Sequence, residues 1–105
     1  MLTDENEIIE RIKAGEDGLF DRLVLEYQDR LASFVNRTTG DPEAARDVCQ
    51  EAFVKAWRSL GRFRGEARFS TWLFTIARRE ALRHVRRAGP PAPAPRAEGP
   101  PAPAP

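Results

Sequence analysis

Apolar side chains recur three and four positions apart in four separate runs of this chain, each bracketed by residues that start or stop helices. The first run, over residues 4–14, carries Ile8, Ile9 and Ile12. It has Thr3 or Asp4 as its cap, Asp4, Glu5 and Glu7 near the positive end of the helix dipole, and Gly15 as its stop. The second, over residues 17–38, holds Leu19, Phe20, Leu23, Val24, Tyr27, Leu31, Phe34 and Val35, and Gly40 closes it. The third has the clearest punctuation: Asp41 caps, Pro42 takes the first helical position and Glu43 supports the dipole. Ala45, Val48, Cys49, Ala52, Phe53, Ala56, Trp57 and Leu60 then form one inward stripe that ends at Gly61. A loop containing Gly65 leads to the fourth helix, which is expected to start with Ser70 as cap and to run to about residue 87. Trp72, Leu73, Ile76, Ala77 and Ala81 are its inward positions. No segment alternates with period two, and no internal repeat is present. The expected fold is all-α, a compact bundle of four helices.

Length and composition set the outer limits of this picture. The chain has 105 residues, and from residue 89 it reads GPPAPAPRAEGPPAPAP, with no apolar side chain larger than alanine. Such a segment buries too little surface to offset its ordering entropy. The expected organisation is one helical domain over residues 1–88 and a disordered Pro/Ala-rich tail over 89–105. A single cysteine, Cys49, excludes an intramolecular disulfide framework and fits a reducing compartment. No apolar run approaches the ~18 residues that a membrane span needs. The N-terminus, MLTDENEIIE, is acidic where a signal peptide is basic and then apolar. A cytoplasmic location is expected, with no membrane partner.

Charge changes the picture more. Residues 1–30 hold nine acidic and four basic side chains, whereas residues 62–87, RFRGEARFSTWLFTIARREALRHVRR, hold eight basic and two acidic ones. The net charge of +1 therefore hides a strong dipole, and the second half is suited to a polyanion. Arg62, Arg64 and Arg68 surround Phe63 and Phe69 on the loop, and Arg78, Arg79, Arg83, Arg86 and Arg87 continue along the last helix. Guanidinium groups grip phosphates, and exposed rings offer stacking surfaces to bases. Composition leaves open single strand or duplex, DNA or RNA. Enzyme constellations are not found. His84, the only histidine, is hemmed in by arginines that repel a metal ion, and Cys49 reads as a small buried hydrophobe. There is no phosphate loop of the Walker or dinucleotide kind, and no cofactor or metal is expected. A second surface lies on the outer face of the third helix, where Glu43, Asp47, Gln50, Glu51, Val54 and Arg58 fall together. An exposed valine with a polar rim suits docking against another helix.

The run DPEAARDVCQEAFVKAWRSLGRFRGEARFSTWLFTIARREALRHVRR resembles region 2 of extracytoplasmic-function sigma factors of the sigma-70 family, and GEDGLFDRLVLEYQDRLASFV resembles that family's opening helices. The resemblance covers nearly all of residues 2–87 and rests on a long ordered string, D-P-E-A-x5-Q-E-x-F-x2-A-W joined to F-R-G-E-A-x-F-S-T-W-L. It implies a non-enzymatic subunit of transcription initiation. By the same resemblance, Asp47, Gln50, Glu51, Val54 and Arg58 dock on the clamp helices of the largest RNA polymerase subunit. Arg62, Phe63, Arg64 and Arg68, with Ser70 and Thr71 at the start of the last helix, hold an extruded base of the promoter −10 element on the non-template strand. Arg78, Arg79, Arg83 and Arg86 hold its backbone, and an anti-sigma factor is an expected partner. The sequence departs from the family pattern in three places. Arg79 stands where asparagine is common, which replaces a base-edge contact by a phosphate contact, and Cys49 stands where an aliphatic residue is usual. The family usually carries a second domain after the linker, a helix-turn-helix that reads the −35 element, and the 105 residues stop in the proline-rich tail, which leaves −35 recognition open. Two other readings stay open: an interaction module that binds an anti-sigma factor or the clamp without opening DNA, and a basic helical module without sequence preference.

Overall fold

The computed structural model describes residues 5–88. The expected caps Thr3 and Asp4 and the tail over 89–105 lie outside them. Four α-helices follow one another: α1 Glu5–Lys13, α2 Phe20–Thr39, α3 Pro42–Ser59 and α4 Phe69–Ala88. Two 3₁₀ turns, Asp17–Leu19 and Leu60–Arg62, lead into α2 and out of α3. No strand occurs among the described residues.

Helices α2, α3 and α4 pack mutually and enclose the core. From α2 come Phe20, Leu23, Tyr27, Leu31 and Val35, at the spacing that places them on one face. From α3 and α4 come mainly small residues: Ala52 and Ala56 on one, Ala77 and Ala81 on the other, all fully buried. A methyl group on each facing helix lets the backbones approach closely, while Leu31, Leu73 and Phe69 fill the volume between them. Helix α1 adds Ile9 and Ile12 to this core. Two polar ties hold α1 in place. The Tyr27 hydroxyl donates to the Glu5 carboxylate at 2.7 Å, and the Lys13 ammonium donates to the Phe63 carbonyl.

The helix boundaries follow the punctuation in the sequence where a cap is strong and drift where it is weak. Asp41 is extended, and its carboxylate accepts from the Glu43 amide at 3.0 Å, so α3 starts as expected. Gly40 closes α2 in the left-handed region, φ 72°, where a Cβ is strained. The second helix does not begin at residue 17. The chain there makes a 3₁₀ turn, and no side chain caps it. Ser70 is not a cap either. Phe69 already lies in the helix, because the Trp72 amide bonds to the Arg68 carbonyl at 3.1 Å. Trp57, expected to face inward, is 40% exposed and meets Phe20 edge-on with centroids 5.1 Å apart. Its neighbour Ala56 takes the buried position, which leaves no room in the core for an indole one residue later.

Candidate nucleic-acid and partner interfaces

The loop between α3 and α4 is pinned at both ends by phenylalanines. Phe63 leaves the second 3₁₀ turn in an extended conformation, φ −70° and ψ 122°. Extended backbone turns successive side chains to opposite sides, so a buried Phe63 leaves Arg64 pointing outward. Phe69, 1% exposed, pins the other end, and the two rings meet edge-to-face at 5.9 Å. Gly65, at φ 79°, makes the turn between them. Arg62, Arg64, Glu66, Ala67 and Arg68 are all exposed.

One expectation is corrected here. Phe63 is only 5% exposed, so its ring is no stacking surface for a base. It contacts Phe69 and Trp72 inside the molecule, where burial takes its apolar ring out of water. The aromatic side chain that stays partly accessible at this end is Trp72, half-buried and tilted against Phe63 with centroids 5.0 Å apart. Its helical spacing marks it as core, so the sequence pattern does not single it out.

The arginines are otherwise disposed as expected. Arg78, Arg79, Arg83, Arg86 and Arg87 are exposed along α4, Thr71 is exposed and Ser70 half-buried at its start. Among the described residues, Arg83 is the only arginine of this group in an ion pair, 3.6 Å from Glu80. Glu80 also holds Lys55 of α3 at 3.0 Å, its carboxylate side chain 12% exposed. The same two helices form a crevice of about 420 Å³ lined by Asp47, Glu51 and Lys55 of α3 and by Glu80, Arg83, His84 and Arg87 of α4. Two surfaces that read as separate in the sequence therefore share an edge. No group of three metal-ligating side chains occurs among the described residues.

On the outer face of α3, Asp47, Gln50, Glu51, Val54 and Arg58 are all exposed, and Val54 is exposed by 40%. Val54 and Gln50 border an open groove of about 800 Å³ between α2 and α3. Val24, Ala32, Ala45 and Phe53 give its floor an apolar character, and Gln28, Asp29, Asn36 and Arg46 give it a polar rim. The α2 half of this groove was not singled out by sequence, since Gln28 and Asp29 are ordinary solvated positions without their partner helix. Cys49 also borders it, and burial pushes its thiol pKa up, away from thiolate chemistry. A third hollow, about 340 Å³, opens beside the arginine loop and is lined by Gly65, Glu66, Ala67, Arg68 and Phe69 together with Glu5 and Asn6 of α1.

Fold and surfaces together define a small helical bundle with a cationic loop at one end and a mixed apolar–polar groove on its flank. Its residues 23–90 match the model of sigma-70 region 2, and the chain belongs to that family. It is similar to the RNA polymerase sigma-H factor of Pseudomonas aeruginosa, 45% identical over 87 residues, which are 81% of this chain and 45% of that protein. It is similar also to the ECF RNA polymerase sigma-E factor of Escherichia coli K12, 45% identical over 76 residues, 72% of this chain and 39% of the relative. The chain thus spans less than half the length of these relatives. Among solved structures it superimposes on an engineered region 2 of sigmaE in complex with GTAAAA, with TM-score 0.76 and 37% identity, covering 83% of this chain and 90% of that one. No described helix is long and apolar enough to cross a membrane.

Proposed function

We propose that this chain binds core RNA polymerase and recognises and melts the promoter −10 element, acting in the cytoplasm as a non-enzymatic transcription-initiation module. The observation that carries this reading is the set of exposed arginines, Arg62, Arg64 and Arg68, held outward on a loop whose phenylalanines are locked in the core. Buried anchors with unpaired cations between them present charge on a rigid frame, at little entropic cost when a strand binds. Arg78, Arg79 and Arg86 extend the cationic track along α4 for the phosphates of the non-template strand. The half-buried Trp72 takes the stacking role first assigned to Phe63. Extruding a base costs a few kcal/mol, so a site that recovers stacking and edge contacts opens the duplex and reads it together.

Val54 and Gln50, on the border of the α2–α3 groove, receive the clamp helices of the largest polymerase subunit together with the exposed Asp47, Glu51 and Arg58 on the outer face of α3. The same groove supports a second reading, an anti-sigma factor laying a helix over it without any DNA opening. Fluorescence anisotropy of the chain with labelled single-stranded GTAAAA, with and without core polymerase, tests the first reading. Sequence-dependent binding that tightens with core is expected. Polymerase or anti-sigma capture without binding of any strand leaves only the second.

A further inference from the structure

The loop that carries Arg62, Arg64 and Arg68 is tied from outside as well as by its own rings. Lys13, the last residue of α1, sends its ammonium to the Phe63 carbonyl, 50 positions along the chain. A lysine in the last turn of a helix is favoured by the dipole, but that accounts only for its charge and not for its reach to a distant carbonyl. We infer that Lys13 is a positioning residue of the strand-binding loop: it sets the direction of Arg64 through the backbone and makes no contact with the strand itself. This rests on the proposed −10 function and adds to it a residue from a helix outside the cationic segment.

Phe63 leaves the second 3₁₀ turn extended, so its carbonyl has no helical partner, and among the described residues no backbone amide donates to it. A carbonyl withdrawn from water is costly when unpaired, and Lys13 is the donor that satisfies it. That carbonyl belongs to the planar unit joining Phe63 to Arg64. Holding it fixes ψ of Phe63, and with it the plane from which Arg64 departs. Gly65, at φ 79°, turns the chain immediately afterwards, so Arg64 stands between a tethered peptide and a left-handed turn. The donor is held as firmly as the acceptor. Ile12 beside it is buried in the core, and the Tyr27 hydroxyl fixes the other end of α1 through Glu5. The Lys13 side chain is 24% exposed, and its ammonium also faces Glu10 at 3.7 Å. With its donors turned to a carbonyl and a carboxylate, it is poorly disposed to take a phosphate, whereas Arg64 is exposed. Backbone fixed before the strand arrives lowers the ordering entropy that binding must overcome.

The experiment is a titration of labelled GTAAAA with the unaltered chain, with Lys13→Met, with Lys13→Arg, and with Lys13→Met combined with Arg64→Ala or with Arg86→Ala. Lys13→Met keeps the apolar stem and removes the donors, and is expected to weaken binding by about fivefold to tenfold, the scale of one side chain left to be ordered on binding. Lys13→Arg keeps a donor and is expected to bind within about twofold of the unaltered chain. Because the effect runs through Arg64, Arg64→Ala is expected to lose less affinity in the Lys13→Met background than alone, while Arg86→Ala loses its full factor. A merely structural role would not single out Arg64 in this way. Unchanged affinity in Lys13→Met, or full additivity with Arg64→Ala, overturns the inference and leaves the −10 reading standing. If the unaltered chain does not bind GTAAAA, the −10 reading itself falls and takes this inference with it. Should Lys13→Met fail to fold, light acetylation of the unaltered chain, mapped by mass spectrometry, decides. Chains acetylated at Lys13 are expected to be depleted from those retained on immobilised GTAAAA, with no protection of Lys13 by the bound strand. Equal retention, or protection by the strand, overturns the inference.

Discussion

Phe63 shows how a single side chain can serve a site without touching its ligand. Its ring packs against both Phe69 and Trp72, so removing it loosens the loop at two points while the backbone carbonyl that accepts from Lys13 of α1 stays. Phe63→Ala is expected to cost about 3–5 kcal/mol in urea unfolding, the usual range for a buried phenylalanine. Arg64→Ala, at the adjacent exposed position, is expected to leave the unfolding midpoint within error and to weaken strand binding alone. A Phe63 variant with unchanged stability and lost binding would return the ring to direct contact. Tyr27 makes a second prediction at this scale. Burial, and then the Glu5 carboxylate that accepts its hydrogen bond, push its pKa from 10.0 up to about 12. A value raised in the folded state means that the stabilisation is whole below about pH 10 and is lost as pH climbs through about 12. Tyr27→Phe removes that dependence. The difference in unfolding free energy between the two proteins should therefore shrink across this interval, as followed by circular dichroism at fixed denaturant.

Helix α3 works on two sides at once. Its inner face is built from alanines that allow α4 close, and its outer face carries Val54 beside a groove shared with α2. Val54→Glu puts a charge on the apolar border without disturbing a buried residue. It is expected to abolish co-elution with core polymerase while keeping the melting temperature and the affinity for single-stranded GTAAAA. Unchanged co-elution would move the polymerase contact elsewhere. The elements themselves were largely legible in the chain: Asp41, Pro42 and Gly40 act locally, through one hydrogen bond, one fixed φ and one left-handed residue. What was not legible depends on partners distant in sequence. Whether Trp57 or Ala56 enters the core is decided by how near α4 lies, and periodicity treats the two alike. Phe63 followed the same logic, since an aromatic among arginines reads as a stacking ring until its neighbours are known. The α1 wall of the third hollow joins residues some sixty positions apart in the chain and leaves no local signal.

At the scale of the molecule, the dipole of the sequence becomes an arrangement in space. The acidic first segment supplies α1 and most of α2, and the cationic segment supplies the loop and α4. Screening limits such fields to about 8–10 Å at ordinary ionic strength, so only cations on the track itself contribute to holding a strand. That makes the salt dependence of binding a map of the track. Each phosphate neutralised on a single strand adds roughly 0.7 to the slope of log affinity against log salt. Arg64→Ala and Arg86→Ala, exposed at the two ends of the cationic region, are each expected to lower the slope by about that amount. Arg22→Ala, equally exposed but on α2, is expected to leave it unchanged. Because Arg83 already leans on Glu80, its removal should lower the slope by less than that of Arg86, part of its charge being spent within the protein. Equal effects from all four substitutions would mean that the strand feels only net charge, and that the track along α4 is no path for phosphates.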